Sequence, residues 1–411
     1  ALSVNNYAGA ALSAKGVINN LKELSGIDLT GYIKTDDLKS FANTMNIDVS
    51  KLPSSVNQLE ASVEGKGKIN NLSFASNVKA LGGSLDASGM VNNVLKTPEF
   101  SDLALRVIHP NANNAIKAVS PDFKASDALN QAVDFYAKIN SSGKVYDLSG
   151  IKAKLGTSDF TGNLKVDMGN KITAVSGDIN AGKIALDSLL GAKGASGSSS
   201  SSASSSGSSS SSSGKWSDKP INLSWMNSNN INVNLSAENL TYEKWNFSNP
   251  STSLKISNGV MKVNDMKAGV FGGNATVNTT VNANPVSIDF SSNMNGIDIE
   301  RLASALSNSN KLKAKGDVSF NVDVKGTGSS SRALVSNLNG TSKIDGKNIS
   351  IQGFDLAKIA QGLNTEEKFA SSLQSFASGA LQGGETSFDT LVGSYAIQNG
   401  IVNISEMILD G

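Results

Sequence analysis

The chain contains no cysteine and a single histidine, His109. The first absence excludes disulfide stapling and thiolate metal sites, and the second excludes the histidine clusters that most catalytic metals need. Aromatic residues are only 6% of the 411, so the hydrophobic 39% is mostly Ala, Val, Ile and Leu. An interior of small aliphatic side chains can stay partly open. Charge of one sign is also missing: 36 basic and 35 acidic residues leave a formal +1, too little field to recruit nucleic acid or acidic lipid heads. No run approaches the ~18 apolar residues of a membrane-spanning helix, and no stretch has the form of a signal peptide.

What the chain does have is alternation and repetition. Ile256, Asn258, Gly259, Val260, Val263, Asp265 and Met266 are answered by Ile397, Asn399, Gly400, Ile401, Ile404, Glu406 and Met407. An Asn-Gly pair between alternating runs predicts a tight hairpin, because both turn residues must reach positive φ. A second unit runs from Met266 through Gly272 and Gly273 into Asn274–Ala283, and it is echoed upstream twice. One echo crosses Gly82 and Gly83, and the other crosses Gly156 and Thr157. Both halves therefore share one architecture of serial antiparallel hairpins.

In the second half the period is two residues almost everywhere. Ala275, Val277 and Val281, then Val286, Ile288 and Phe290, then Val318, Phe320, Val322 and Val324 alternate with polar partners such as Asn274, Thr276 and Asn278. One face wants to leave water and the other does not. Helical periodicity is rare. Asp36 or Thr35 is expected to cap a short helix carrying Leu38, Phe41 and Met45; further helices are expected at Ala112–Val119, Ser126–Tyr136, near 297–306 and across 354–381. The Ser-rich stretch 196–214 reads as flexible coil. It divides a β-rich region, 1–195, from a second one, 215–411.

Few short helices cannot cover a sheet of roughly fifteen strands, which must curl, split or be covered. The sheet closes as a barrel or sandwich, winds as a β-helix, or curls into a trough whose floor holds another apolar substance. The fold class is therefore mostly β, a long curled antiparallel sheet of serial hairpins with an open apolar groove and a few short helices. Ala275, Val277, Val281, Val286, Ile288, Phe290, Val318, Phe320, Val322 and Val324 are the expected groove lining. Gly82, Gly83, Gly156, Asn258, Gly259, Gly272, Gly273, Asn399 and Gly400 are the expected turns.

Catalysis finds little support. His109 beside Pro110 has no second His or fixed carboxylate near it in sequence and reads as a strand-end turn residue. Gly177–Lys183 has the spacing of a phosphate loop, but Ile184 stands where Ser or Thr must hold Mg²⁺, and the segment falls between strands. No Gly-x-Ser-x-Gly elbow occurs. Neither a catalytic residue, a metal site nor a cofactor is expected. An aliphatic floor without converging polar groups suits acyl chains, which need no directed hydrogen bonds.

The order of several short motifs carries a resemblance. These are Trp216, Ser217, Pro220, Ile221 and Leu223, then Asn258–Gly259, Phe271–Gly273, Gly296–Asp298 with Leu302, Lys313–Gly316, Gly353–Ala357, and Thr386, Phe388, Leu391, Tyr395 and Ile397. In this order the chain resembles the AsmA family of Gram-negative envelope proteins, most densely over 216–411. The resemblance implies an elongated curled sheet with an apolar groove, held to the inner membrane by an N-terminal helix and projecting into the periplasm. It also implies a part in moving phospholipid toward the outer membrane and in outer-membrane assembly. Phospholipid or another acyl lipid, the inner membrane and outer-membrane assembly components are the implied partners; nucleic acid is not one. The chain begins at Ala1 and stops where its repeat would place the next Gly-Gly turn, so it is read as the middle of a longer protein. The rival readings are a secreted structural β-solenoid or adhesin, and an outer-membrane protein assembly factor without lipid transport.

Overall fold

The structure is a computed structural model that describes residues 2–7, 9–46, 48, 57–119, 129–187, 216–306, 313–352 and 385–411. The chain forms two compact units: Ala1–Gly197 with Ile231–Glu238, and Ser198–Asn230 with Asn239–Gly411. The Ser-rich stretch and the helix expected across 354–381 lie outside the described residues.

Unit 1 is a serial meander of β1 (Leu2–Tyr7), β2 (Ala10–Asn20), β3 (Ser25–Thr35), β4 (Leu59–Lys68), β5 (Asn71–Ala80) and β6 (Gly83–Asn92). It continues through β7 (Glu99–His109), β8 (Val133–Ser142), β9 (Val145–Leu155), β10 (Ser158–Asp167) and β11 (Thr173–Ala185). Each strand pairs antiparallel with the next. β12 (Asn229–Tyr242) gives its middle, Ile231–Glu238, to this unit. Unit 2 repeats the plan with β13 (Trp245–Ser257), β14 (Val260–Val270), β15 (Gly273–Ala283), β16 (Val286–Asp298), β17 (Lys313–Thr327), β18 (Asn339–Gln352), β19 (Glu385–Gln398) and β20 (Ile401–Asp410). Its ladders are again antiparallel between consecutive strands. Among the described residues no ladder joins β1 to β11 or β13 to β20, and every ladder within β1–β11 and within β13–β20 is antiparallel. The β-helix and the solenoid are thereby excluded, because both are built on parallel ladders.

The hairpin signals resolve into two separate jobs. Asn258–Gly259 and Asn399–Gly400 are two-residue turns with positive φ at both positions, 51° and 75° in the first and 50° and 75° in the second. In the Gly-Gly hairpins the turn begins one residue earlier than the sequence implies. Leu81–Gly82 and Phe271–Gly272 hold the positive φ, while Gly83 and Gly273 are already the first residues of β6 and β15, paired with Ala80 and Val270. The second glycine is required by close approach instead. A Cβ on Gly83 would lie 2.6 Å from the Ile108 carbonyl oxygen, and one on Gly273 would strike the Asn295 and Gly296 carbonyls. Gly156 has φ 58° and opens the β9–β10 turn.

Helices are short and sit at strand ends. α1 (Leu38–Thr44) is capped by Asp37, whose Oδ1 accepts from Ser40 N at 3.0 Å, so neither Thr35 nor Asp36 is the cap. It buries Leu38 and Phe41 with Ala10 over Leu12, Ile33 and Leu59. α2 (Ala112–Val119) has the expected bounds. The expected helix Ser126–Tyr136 is overturned over its described part, where Val133–Tyr136 begin β8. Val133, Phe135 and Ala137 pair with Leu155, Ala153 and Leu105, and this cross-strand burial outweighs a local helical pattern. Gly177–Lys183 lies inside β11, so it is no loop at all. α3 (Ile299–Leu306) follows β16 directly, two residues later than expected, and α4 (Ser331–Ser336) follows β17.

His109 ends β7, 5% exposed. Its Nδ1 accepts from Asn111 N at 2.9 Å, which leaves the proton on Nε2 to donate to the Leu81 carbonyl at 2.9 Å. The side chain ties the β5–β6 turn to the end of β7, a structural task. His109→Ala is expected to lower unit 1 stability by roughly 1–2 kcal/mol in urea unfolding, since it strands two part-buried backbone groups.

Candidate functional site: the apolar sheet faces

Residues directly opposite one another across a ladder share a face, so the registers sort every side chain. In unit 1 one row runs Leu12, Ile33, Ala61, Val78, Leu85, Val107, Phe135, Ala153, Phe160, Ala181 across ten strands. The row one residue along, on the opposite face, runs Ser13, Tyr32, Ser62, Asn77, Asp86, Arg106, Tyr136, Lys152, Thr161, Asn180. The sheet is two-faced along its whole width. Its apolar face is only partly covered: Leu29 is 42% and Val63 50% exposed. A cavity of about 380 Å³ opens there, lined by Leu12, Gly31, Ile33, Ala61 and Val63.

In unit 2 the registers place all ten residues of the expected lining on one face. Ala275 lies opposite Met294, which lies opposite Phe320 and then Ile344. Val277, Ser292 and Val322 form the next row, followed by Thr279, Phe290 and Val324, and by Val281, Ile288 and Gly326; Val286 faces Ala283. Val318 pairs with Ile297 at the α3 end. Ala275, Val318 and Val324 are buried, and the other seven are half-buried.

The two parts of this face differ. At the α3 end Val270, Ala275, Ile297, Val318 and Ile349 form a closed cluster, packed by Ile299 and Leu302 of α3 and by Trp245, Phe247 and Phe271. The ring centroids of Trp245 and Phe271 are 4.9 Å apart. Beyond this plug, the rows from Val277 to Val286 mix half-buried side chains with the buried Ser292 and Val324, and the end of the face at Gly326 is met by Leu334 and Leu338.

Met261, Met266, Met294, Ile344 and Tyr395 also lie on this face and were not among the expected lining. Backbone bulges hide them. Asp265 takes φ 47° and the register shifts between Val263 and Met266, so counting by twos loses the face. Gly296 does the same between Met294 and Ile297. In the first half, the Leu12 and Val78 rows were missed because each strand there carries fewer large residues.

Charge is confined to the polar face. Arg106 holds Asp134 through two bonds, Nε to Oδ1 at 3.0 Å and Nη2 to Oδ2 at 2.8 Å. Lys325 meets Asp289 at 3.0 Å. The Arg106 hydrogen bonds hold the Asp134 carboxyl below the usual carboxylate range. A depressed carboxyl contributes stability that is present above about pH 4 and is lost as pH falls through its lower folded value. Asp134→Asn is therefore expected to flatten the acid limb of the unfolding profile below about pH 4. At neutral pH it should cost no more than about 1 kcal/mol, because both partners are 40–50% exposed. Among the described residues, no group of three His, Cys, Asp or Glu is placed to hold a metal ion.

A two-faced antiparallel meander of this length is matched by the model of the AsmA family over residues 7–407 of the 411-residue chain. The chain belongs to the AsmA family. The match runs through both units, including the first, where the motif resemblance is thin. No curated protein and no solved structure matches this AsmA-family chain. No helix among its described residues is long and apolar enough to cross a membrane. The family is one of bacterial envelope proteins, which fits a periplasmic setting.

Proposed function

We propose that the chain is a non-enzymatic lipid-binding scaffold of the periplasm, which carries acyl chains along its apolar sheet faces in support of phospholipid transport and outer-membrane assembly. The observation that carries this reading is the unbroken apolar row across ten strands of unit 1, half-buried from Leu12 to Phe160 and backed by a polar row on the other face. A hydrocarbon tail lying on such a row gains about 0.8 kcal/mol per methylene removed from water. It asks for no hydrogen bonds, and the face offers few. Because neighbouring positions are chemically alike, a tail exchanges one for the next at little cost, so the mechanism is partitioning and sliding rather than bond chemistry. Attachment to the inner membrane is part of the same proposal and rests on family membership.

Photo-crosslinking tests the assignment of faces. A benzophenone side chain at Val277 or Val107 is expected to trap lipid acyl chains in cells, and one at Asn278 or Arg106, on the opposite face, is expected to trap none. Equal trapping from both faces, or none from either, contradicts the proposal.

A further inference from the structure

Unit 1 ends in two rows of turns, and the rows are chemically unlike. One row holds the turns β2–β3, β4–β5, β6–β7, β8–β9 and β10–β11, at residues 21–24, 69–70, 93–98, 143–144 and 168–172. Hydrogen bonds fasten each turn to the next. Ile69 N donates to the Leu24 carbonyl, Asn93 N to the Asn70 carbonyl, Gly143 N to Glu99 Oε1 and Met168 N to the Lys144 carbonyl. Turns two strands apart stand about 10 Å from one another, so the row is a continuous rim about 40 Å long. Every second turn of this rim carries a large apolar side chain at its tip. Leu21 is 73%, Leu95 68% and Met168 52% exposed, at sites where turn chemistry favours Gly, Asn, Asp or Ser. A lysine shares each of these turns, at Lys22, Lys96 and Lys171, and Lys68 and Lys144 stand at the two turns between. All five lysines are exposed, and none has an ion pair among the described residues. The acids of the rim are Glu23, Glu99 and Asp167, and the last two accept from the amides of Gly143 and Gly169. In the opposite row the tight turns Leu81–Gly82 and Gly156–Thr157 carry no lysine, and Leu81 is half-buried against α1. Lys79 and Lys154, at strand ends there, are paired with Glu60 and Asp159. The balanced total charge of the chain conceals this segregation.

We infer that this rim docks peripherally on an anionic lipid bilayer, with Leu21, Leu95 and Met168 dipping below the headgroups and the lysines resting among them. Charge complementarity and the spacing of the tips select this partner. Aliphatic tips about 20 Å apart make no single patch of the kind a protein partner buries, and nucleic acid offers no place for them. A bilayer interface accepts each tip separately and sets the lysines against its phosphate groups. The contact is made by the chain's own hairpins and differs from the inner-membrane attachment proposed above on family grounds. It needs no acyl chain on the sheet faces, so it stands or falls independently of the lipid-carrying reading.

The test measures co-sedimentation of the whole chain with vesicles of phosphatidylcholine alone and with vesicles holding an equal part of phosphatidylglycerol. The wild-type chain is expected to bind the anionic vesicles at least about tenfold more tightly, an advantage that high salt removes. Lys22→Gln, Lys96→Gln, Lys144→Gln and Lys171→Gln together are expected to erase that preference. Lys34→Gln, Lys79→Gln, Lys117→Gln and Lys154→Gln, an equal loss of charge at the other end, are expected to keep it. Leu21→Ser with Leu95→Ser and Met168→Ser is expected to weaken binding at least about tenfold. The substituted rim positions are all exposed, so the rim variants should keep the wild-type Tm. Because the chain has no cysteine, a solvatochromic dye on Leu95→Cys reports insertion by a blue shift, and the same dye on Lys117→Cys should report none. Absence of vesicle binding, equal binding to both vesicle types, or equal effects of the two lysine sets overturns the docking rim. Self-association of the chain through Leu95 in place of vesicle binding overturns it too, and makes the rim a protein interface.

Discussion

Val322→Asp is expected to abolish acyl-lipid capture by unit 2, with a loss of at least about a hundredfold in affinity. Val322 is half-buried in the rows beyond the closed cluster, between Ser292 and Ser342 on neighbouring strands. A carboxylate there must be desolvated whenever a tail covers it, at a cost of several kcal/mol, and every 1.4 kcal/mol is a factor of ten. The fold should survive, because Val322 lies outside the closed cluster at α3 and its new charge reaches water when no lipid is bound. Phe320→Asp is expected to block lipid too, but Phe320 packs against that cluster, so part of its effect is on stability. Asn321→Asp is the matched control. Asn321 is exposed on the polar face, opposite Asn293 and Lys343, and its charge should change nothing in a lipid-binding assay. Full capture by a folded Val322→Asp chain would remove this face from the path of the lipid.

The second large effect is on folding. Gly273→Val is expected to destabilise unit 2 by at least about 3 kcal/mol, because its first side-chain carbon collides with the Asn295 and Gly296 carbonyls of the neighbouring strand. Backbone cannot swing aside as a long side chain can. Gly272→Asn next to it is expected to cost only about 1 kcal/mol. Asparagine tolerates the positive φ of 84°, and the nearest atoms, on Arg301 and Asp298, are 3.5 Å and 3.7 Å away. Fluorescence of Trp245, which lies against Phe271 of the same hairpin, reports the unfolding in urea. If the two variants cost the same, the separation of turn from close approach is wrong.

The contrast between these two glycines also shows what a sequence makes legible. Asn258–Gly259 and Asn399–Gly400 name their turns because two positive φ values in succession leave few residue choices. Phe271–Gly272 does not, since the phenylalanine at φ 48° is held by its contact with Trp245 and the closed cluster, which only the folded chain supplies. Alternation put the ten expected residues on one face, because a period of two assigns faces without knowledge of the partners. It failed at Asp265 and Gly296, where one extra residue swaps the faces and hides Met266 and Ile297. Asp37 rather than Asp36 caps α1 because the cap is chosen by which carboxylate reaches the Ser40 amide, a matter of geometry. The helix expected at Ser126–Tyr136 was lost to β8 for the same kind of reason: Phe135 and Ala137 have apolar partners on two neighbouring strands.

The central claim is that the apolar faces hold lipid. Mass spectrometry of organic extracts tests it most directly, with the purified chain compared against a control protein prepared identically. The account predicts enriched diacyl phospholipid at about one per chain or more, a ratio that falls for Val322→Asp and holds for Asn321→Asp. Lipid at the control level in the wild-type chain would contradict it, and the sheet would then be a structural or assembly surface whose apolar rows serve folding alone.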